Sequence, residues 1–160
     1  MRIIALVCLA GLMSPAWADR PASSADRAAF RAAGFAWHNG AWHSDCGDPG
    51  TESYTGGSIE QLGDLNGDGR REVLITEGSS YCYGMTGTAF WLLSPTAKGG
   101  WQLMLSDTGV ADVLASRGAG NWPDIAIGGP GFCFPVMRWN GRAYVQVRFE
   151  YAGKRCRRPA

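Results

Sequence analysis

The chain has 160 residues, 46% of them apolar and 18% charged, and 15 Lys and Arg nearly cancel 14 Asp and Glu for a formal net charge of +1. That balance excludes a nucleic-acid binder held by a dense basic surface, and the apolar fraction excludes an acidic disordered tail. Twenty-three glycines without a G-X-Y period exclude collagen and, with 7 Trp, point to β structure with many tight turns.

Arg2, the apolar run from Ile3 to Met13, and the exit Ala16-Trp17-Ala18 read as a secretory signal peptide cleaved after Ala18. The run is shorter than the roughly 20 apolar residues a bilayer span takes. Residues 19–160 are then expected as one β-rich domain, periplasmic or secreted, with 14 cations against 14 acids once Arg2 is removed. Cys46, Cys82, Cys133 and Cys156 are an even set in an oxidising compartment and predict two disulfides. No two of them have the C-x2-4-C spacing of a zinc site.

Ser23 with Asp26, an alanine-rich body and Gly34 predict one helix with both ends marked. Strand signals follow. Asn39-Gly40 predicts a two-residue hairpin with Trp37 facing Trp42 and with His38 and His43 together on the opposite face. Surface imidazoles are the favoured reading of those two histidines, since no third donor stands nearby in sequence. A second hairpin is expected through Asn140-Gly141, and a third joins the run from Ala89 to Leu93 with that from Trp101 to Leu105.

The strand pattern recurs after about 52 residues. Arg71 to Ile75, a glycine loop and Tyr81-Cys82-Tyr83 match Pro123 to Ile127, a glycine loop and Phe132-Cys133-Phe134, each followed by an aromatic hairpin. The expected fold is therefore mainly β, two blade-like antiparallel units with one N-terminal helix. The matched cysteines suggest a Cys82–Cys133 bridge, which leaves Cys46–Cys156.

Asp64-Leu65-Asn66-Gly67-Asp68-Gly69-Arg70-Arg71-Glu72 carries the most explicit chemistry. Asp64, Asn66, Asp68, the Arg70 carbonyl and Glu72 are oxygen donors able to wrap a hard cation, and Ca²⁺ suits such a set. A helix-loop-helix calcium loop needs Glu at its twelfth position, where Ile75 stands, so a loop leading into a strand is favoured. An Asn-, Asp- and Gly-rich turn without metal is the alternative.

This stretch resembles the D-x-N-G-D-G-x-x-[DE] blade motif of FG-GAP/VCBS-type, integrin-like repeats. The resemblance implies Ca²⁺ bound by Asp64, Asn66, Asp68, the Arg70 backbone and Glu72 in a loop feeding a blade strand. A shift of 52 residues puts Ser116, Gly118 and Gly120 where Asp64, Asn66 and Asp68 stand, so the second unit keeps only Asp124. The mature chain also resembles small exported bacterial proteins carrying Cys-Tyr-Gly-Met-Thr-Gly and Gly-Phe-Cys-Phe-Pro-Val, a group that implies a compartment and no reaction.

No G-x-S-x-G is present, oxidised cysteines are no nucleophiles, and Glu77 with Asp124 is the one candidate carboxylate pair. Gly128 to Gly131 lacks the cation and helix of a phosphate loop and reads as a tight strand connection. The expected function is a non-catalytic binding or scaffold protein of the cell envelope, with an envelope protein or a glycan as partner. The alternatives are a secreted hydrolase using Glu77 or Asp124, or a proteinaceous enzyme inhibitor presenting residues 78–87 and 128–135.

Overall fold

The computed structural model describes residues 23–157, so the expected signal peptide lies outside the described residues. Within them the chain is mainly β, with 11 strands in three antiparallel sheets and an N-terminal helix. Helix α1 (Ser24–Ala32) begins with a capping box. Ser23 Oγ accepts the Asp26 N–H at 3.0 Å, and the Asp26 carboxylate accepts the Ser23 N–H at 2.8 Å.

The hairpin of β1 (Ala36–His38) and β2 (Ala41–His43) turns through Asn39 and Gly40, whose φ values of 50° and 81° are the positive pair that a two-residue turn demands. Trp37 faces Trp42 across it. Trp42 is buried and stacks on Phe30 with ring centroids 4.7 Å apart, and Phe35 meets Trp91 edge-on. These rings close over Val73, Ile75 and Leu93 as one core. Their close approach requires Gly57, where a Cβ would stand 2.8 Å from Phe35 and 3.0 Å from Phe30.

The first large sheet has the order β3 (Thr55–Gln61), β4 (Val73–Gly78), β5 (Thr88–Pro95), β6 (Trp101–Thr108). The second runs β7 (Val110–Arg117), β8 (Pro123–Gly128), β9 (Phe134–Trp139), β10 (Tyr144–Tyr151), with the short β11 (Lys154–Arg155) beside β10. Both are antiparallel meanders, as the two-unit reading expects. Strand β6 passes into β7 across Gly109 alone. Its φ of 144°, and the 2.6 Å that would separate a Cβ from the Gly128 carbonyl oxygen, reserve that position for glycine.

Strand alternation separates the cores. Val73, Ile75 and Leu93 face the helix and hairpin, while Leu74, Leu92 and Leu105 meet Ile125, Met137 and Tyr144 of the second sheet. The far face of the second sheet carries a polar layer beside the buried Val136. Asp124, Arg138, Arg148 and Glu150 alternate with the core positions and bond to one another across it.

Three sequence expectations change. The Asn140-Gly141 hairpin closes with Trp139 opposite Tyr144, so its loop is four residues rather than two. Asn140 sets this up, its Oδ1 accepting the N–H groups of Arg142 and Ala143 at 2.9 Å each. Tyr81-Cys82-Tyr83 lies in a helical turn, α2 (Ser80–Tyr83), capped by Ser79 Oγ accepting the Cys82 N–H at 3.0 Å.

The disulfides are Cys46–Cys82 and Cys133–Cys156, with Cα atoms 5.8 and 5.7 Å apart, instead of Cys82–Cys133 and Cys46–Cys156. Cys82 stands in the α2 turn beside the chain that follows β2, and Cys133 stands just before β9 beside the chain that follows β11, so each pairs with the segment packed against it.

Candidate metal loop and buried carboxylates

The Asp64–Glu72 loop joins β3 to β4, and the Leu62 N–H bonded to the Glu72 carbonyl at 2.9 Å closes its base. Gly67 and Gly69, with φ of 84° and 85°, allow the chain to curl around the Asp64 carboxylate. Asp64 Oδ1 accepts the N–H groups of Gly67 at 2.8 Å and Asp68 at 3.1 Å, and Oδ2 accepts that of Gly69 at 2.8 Å. These amides, Gly69 first, hold its carboxyl below the usual range. Asn66 Oδ1 accepts the Asp68 N–H at 3.0 Å. Asp68 accepts the Arg70 N–H at 2.9 Å and pairs with the Arg70 guanidinium at 2.6 Å, while Arg70 Nε reaches the Pro95 carbonyl at 3.1 Å.

The second sheet also grips this loop. Arg117 donates to the Leu65 carbonyl at 2.9 Å and Asn121 to the Asn66 carbonyl at 3.0 Å. Arg117, Asn121 and Pro95 had no role in the sequence reading, because only the packing of the two sheets brings them here.

Glu72 is the exceptional member of the set. It is fully buried, its Oε2 accepting the Leu65 N–H at 2.7 Å and its Oε1 the Ser94 hydroxyl at 3.0 Å. Burial pushes its carboxyl above the ordinary glutamate value, and the charges of Asp68 and Asp64 add to the rise against those two donors. Among the described residues no Lys or Arg forms an ion pair with it.

The donor types suit a hard cation, but the side chains as placed do not form a coordination shell. Among the described residues no three His, Cys, Asp or Glu side chains converge closely enough to hold a metal ion. The Arg70 guanidinium stands against Asp68, and Asp64 uses three of about four acceptor sites on loop amides. Binding by all of Asp64, Asn66, Asp68, the Arg70 carbonyl and Glu72 would require Arg70 to swing away. Glu72 offers fitting chemistry as it stands, being a buried acid without a counter-charge.

Asp124, 52 positions on, is neutralised from within. It is fully buried, with Arg138 donating to both its oxygens at 2.8 Å, Arg148 to Oδ2 at 2.7 Å and the Ser116 hydroxyl to Oδ2 at 2.6 Å. Its carboxyl is held far below the usual range, first by Arg138 and then, against burial, by Ser116 and Arg148. Asp124 is thus held in an arginine clamp. Ser116, counted in the sequence as a lost ligand, is one of the donors.

Glu77 is a third buried acid. It accepts the Ser44 N–H at 2.9 Å, the Ser44 hydroxyl, the Tyr54 hydroxyl at 2.8 Å and the Tyr83 hydroxyl at 2.5 Å. Burial alone would raise its carboxyl, yet these donors outweigh burial and hold it below the ordinary value. Glu77 and Asp124 sit in different sheets as buried acceptors, the arrangement that opposes a carboxylate-pair hydrolase.

The loops singled out in the sequence meet in space. Thr86 and residues 127–130 share a hollow of about 220 Å³ with Asp107, Thr108, Phe134 and Pro135. Around these loops Tyr81, Met85 and Phe132 are exposed by 65%, 91% and 59%. No family model matches the chain, and neither a curated protein nor a solved structure matches it.

Proposed function

We propose that this chain is an exported, disulfide-linked β domain that takes up one Ca²⁺ in the Asp64–Glu72 loop and acts without catalysis as a binding or scaffold module of the cell envelope. The observation that carries the calcium reading is the contrast between two buried acids. Asp124 has two arginines and a serine, whereas Glu72 has two neutral donors and two acidic neighbours. A buried carboxylate among like charges favours uptake of a cation, and an all-oxygen loop selects Ca²⁺ over softer ions. Arg70 then acts as the placeholder that leaves Asp68 on binding. The ion contributes stability, fixing the entry into β4.

The binding role draws on the two loops beside the hollow. Each is tied by its own disulfide, through Cys82 and Cys133, and each exposes large apolar side chains. Disulfide-tied loops presenting Met and aromatic side chains suit a protein partner, because little backbone freedom is lost on docking and those side chains are enriched at interface cores. An envelope protein is accordingly favoured over a glycan, and an inhibitor would use the same surface.

Titration calorimetry with Ca²⁺ tests the first part. One ion per chain is expected, lost in Asp68→Ala and in Glu72→Gln; no heat of binding contradicts it. Capture from an envelope extract tests the second. A partner retained by the wild-type chain and lost on Met85→Lys or Phe132→Ala is expected, whereas capture unchanged by both places the contact elsewhere.

A further inference from the structure

Strand β10 carries a bulge at Val147. Gln146 pairs with Met137 and Arg148 with Val136, so Val147 has no partner in β9. Past β11 the chain stays against β10, the Cys156 N–H donating to the Phe149 carbonyl at 3.1 Å and Cys156 itself being bridged to Cys133. A hollow of about 550 Å³ opens at this junction, lined by Val147, Arg148 and Phe149 of β10 and by Arg155, Cys156 and Arg157. That volume lies within the roughly 300–1,000 Å³ usual for ligand sites.

The charges around this hollow do not cancel. Asp124 and Glu150 are matched by Arg138 and Arg148. Arg155 stands opposite Glu150 in the ladder, but Glu150 pairs with Arg148 instead. Arg155 and Arg157 are exposed and form no ion pair among the described residues, which leaves two positive charges on one wall. On the other wall Arg148 donates through Nε to Glu150, through Nη1 to Asp124 at 2.7 Å and through Nη2 to Ser116 at 3.0 Å. Two of its five N–H groups stay uncommitted. No acidic side chain lines the hollow, and Val147 and Phe149 give it apolar surface.

We propose that the hollow binds a phosphomonoester, its phosphate held by Arg155 and Arg157 and its organic part resting on Val147 and Phe149. Guanidinium forks match the oxygens of a phosphate, and several of them on one concave wall favour it over a single exposed cation. A phosphomonoester carries about −1.5 to −2 charges at neutral pH, which balances the surplus of the two arginines. The ladder bond at Phe149 and the disulfide at Cys156 hold the two walls together before a ligand arrives, so little backbone ordering opposes binding. This site lies apart from the calcium loop and from the two loops assigned to a protein partner. A soluble ester and a phospholipid headgroup present the same group to it.

The test is calorimetric titration of the disulfide-intact chain with phenyl phosphate, inorganic phosphate and benzoate, alongside flotation with vesicles containing phosphatidic acid. One phenyl phosphate per chain is expected. It binds more tightly than inorganic phosphate, which lacks the apolar part, and than benzoate, which lacks the second charge. Arg155→Gln and Arg157→Gln, at exposed positions that leave the fold intact, each weaken it about tenfold. Vesicle binding that phenyl phosphate displaces assigns the group to a lipid, and phenyl phosphate binding without vesicle binding assigns it to a soluble ester. Asp68→Ala and Met85→Lys leave phenyl phosphate affinity unchanged, so this site is read separately from the calcium loop and the partner loops. Absence of saturable phenyl phosphate binding overturns the proposal, as does undiminished affinity in either arginine variant or benzoate binding equally well.

Discussion

Three buried acids in one small domain are kept by three different means: Asp124 by arginines, Glu77 by hydroxyls and an amide, Glu72 by two donors and no counter-charge. Removing one partner of a buried ion pair strands the other charge. Asp124→Ala takes from Arg148, itself only 10% exposed, one of its two carboxylate partners and from Arg138 its partner, and should cost about 3 kcal/mol in urea unfolding. The acids also differ in the sign of their pH dependence. Asp124 and Glu77 have lowered values, so their contribution is full above the ordinary carboxylate range and is lost as pH falls through the folded values. Asp124→Asn should therefore flatten the acid limb of a stability–pH curve. Glu72 has a raised value, so in chelator its contribution is full below the ordinary glutamate range and is lost as pH rises through the folded value. Glu72→Gln should accordingly be as stable as wild type or more so in chelator at neutral pH, yet gain nothing from added Ca²⁺.

At the scale of elements, α1 and the first hairpin were readable because the signals are local. A serine cap with an acid three residues on, and Asn-Gly with its positive φ pair, act within a few residues. The disulfides were not readable in this way. Pairing depends on which segments pack together, and the likeness of Tyr81-Cys82-Tyr83 to Phe132-Cys133-Phe134 concealed that one is a helical turn and the other enters β9. Peptide mapping without reduction should return Cys46–Cys82 and Cys133–Cys156. The chemistry around Glu77 escaped for a related reason, since Ser44 and Tyr54 reach it from 33 and 23 positions away. Gly57 tests the packing of α1 and the hairpin against β3. Its Cβ position is already filled by Phe30 and Phe35, so Gly57→Ala should lower stability by about 1–3 kcal/mol through overpacking.

The described residues form a stack of layers. The helix and hairpin cover the first sheet with aromatic side chains, and the second sheet ends in the layer of Asp124, Arg138, Arg148 and Glu150. Charged groups on that face disfavour the docking of a further sheet against it. The mainly β, antiparallel character was legible in the sequence, but this charged layer was not, because Arg138 and Arg148 read as ordinary surface charges until Asp124 is seen between them. The central claim is that the first unit relies on a cation from solution where the second uses its own arginines. Thermal unfolding of the disulfide-intact chain in Ca²⁺ and in chelator tests it most directly. At about 100 times the dissociation constant, binding adds roughly 2.7 kcal/mol. For a chain of this size the midpoint should rise by roughly 5–10 °C in wild type and in Asp124→Asn, and not in Glu72→Gln. An equal midpoint in Ca²⁺ and chelator for the wild-type chain would contradict it.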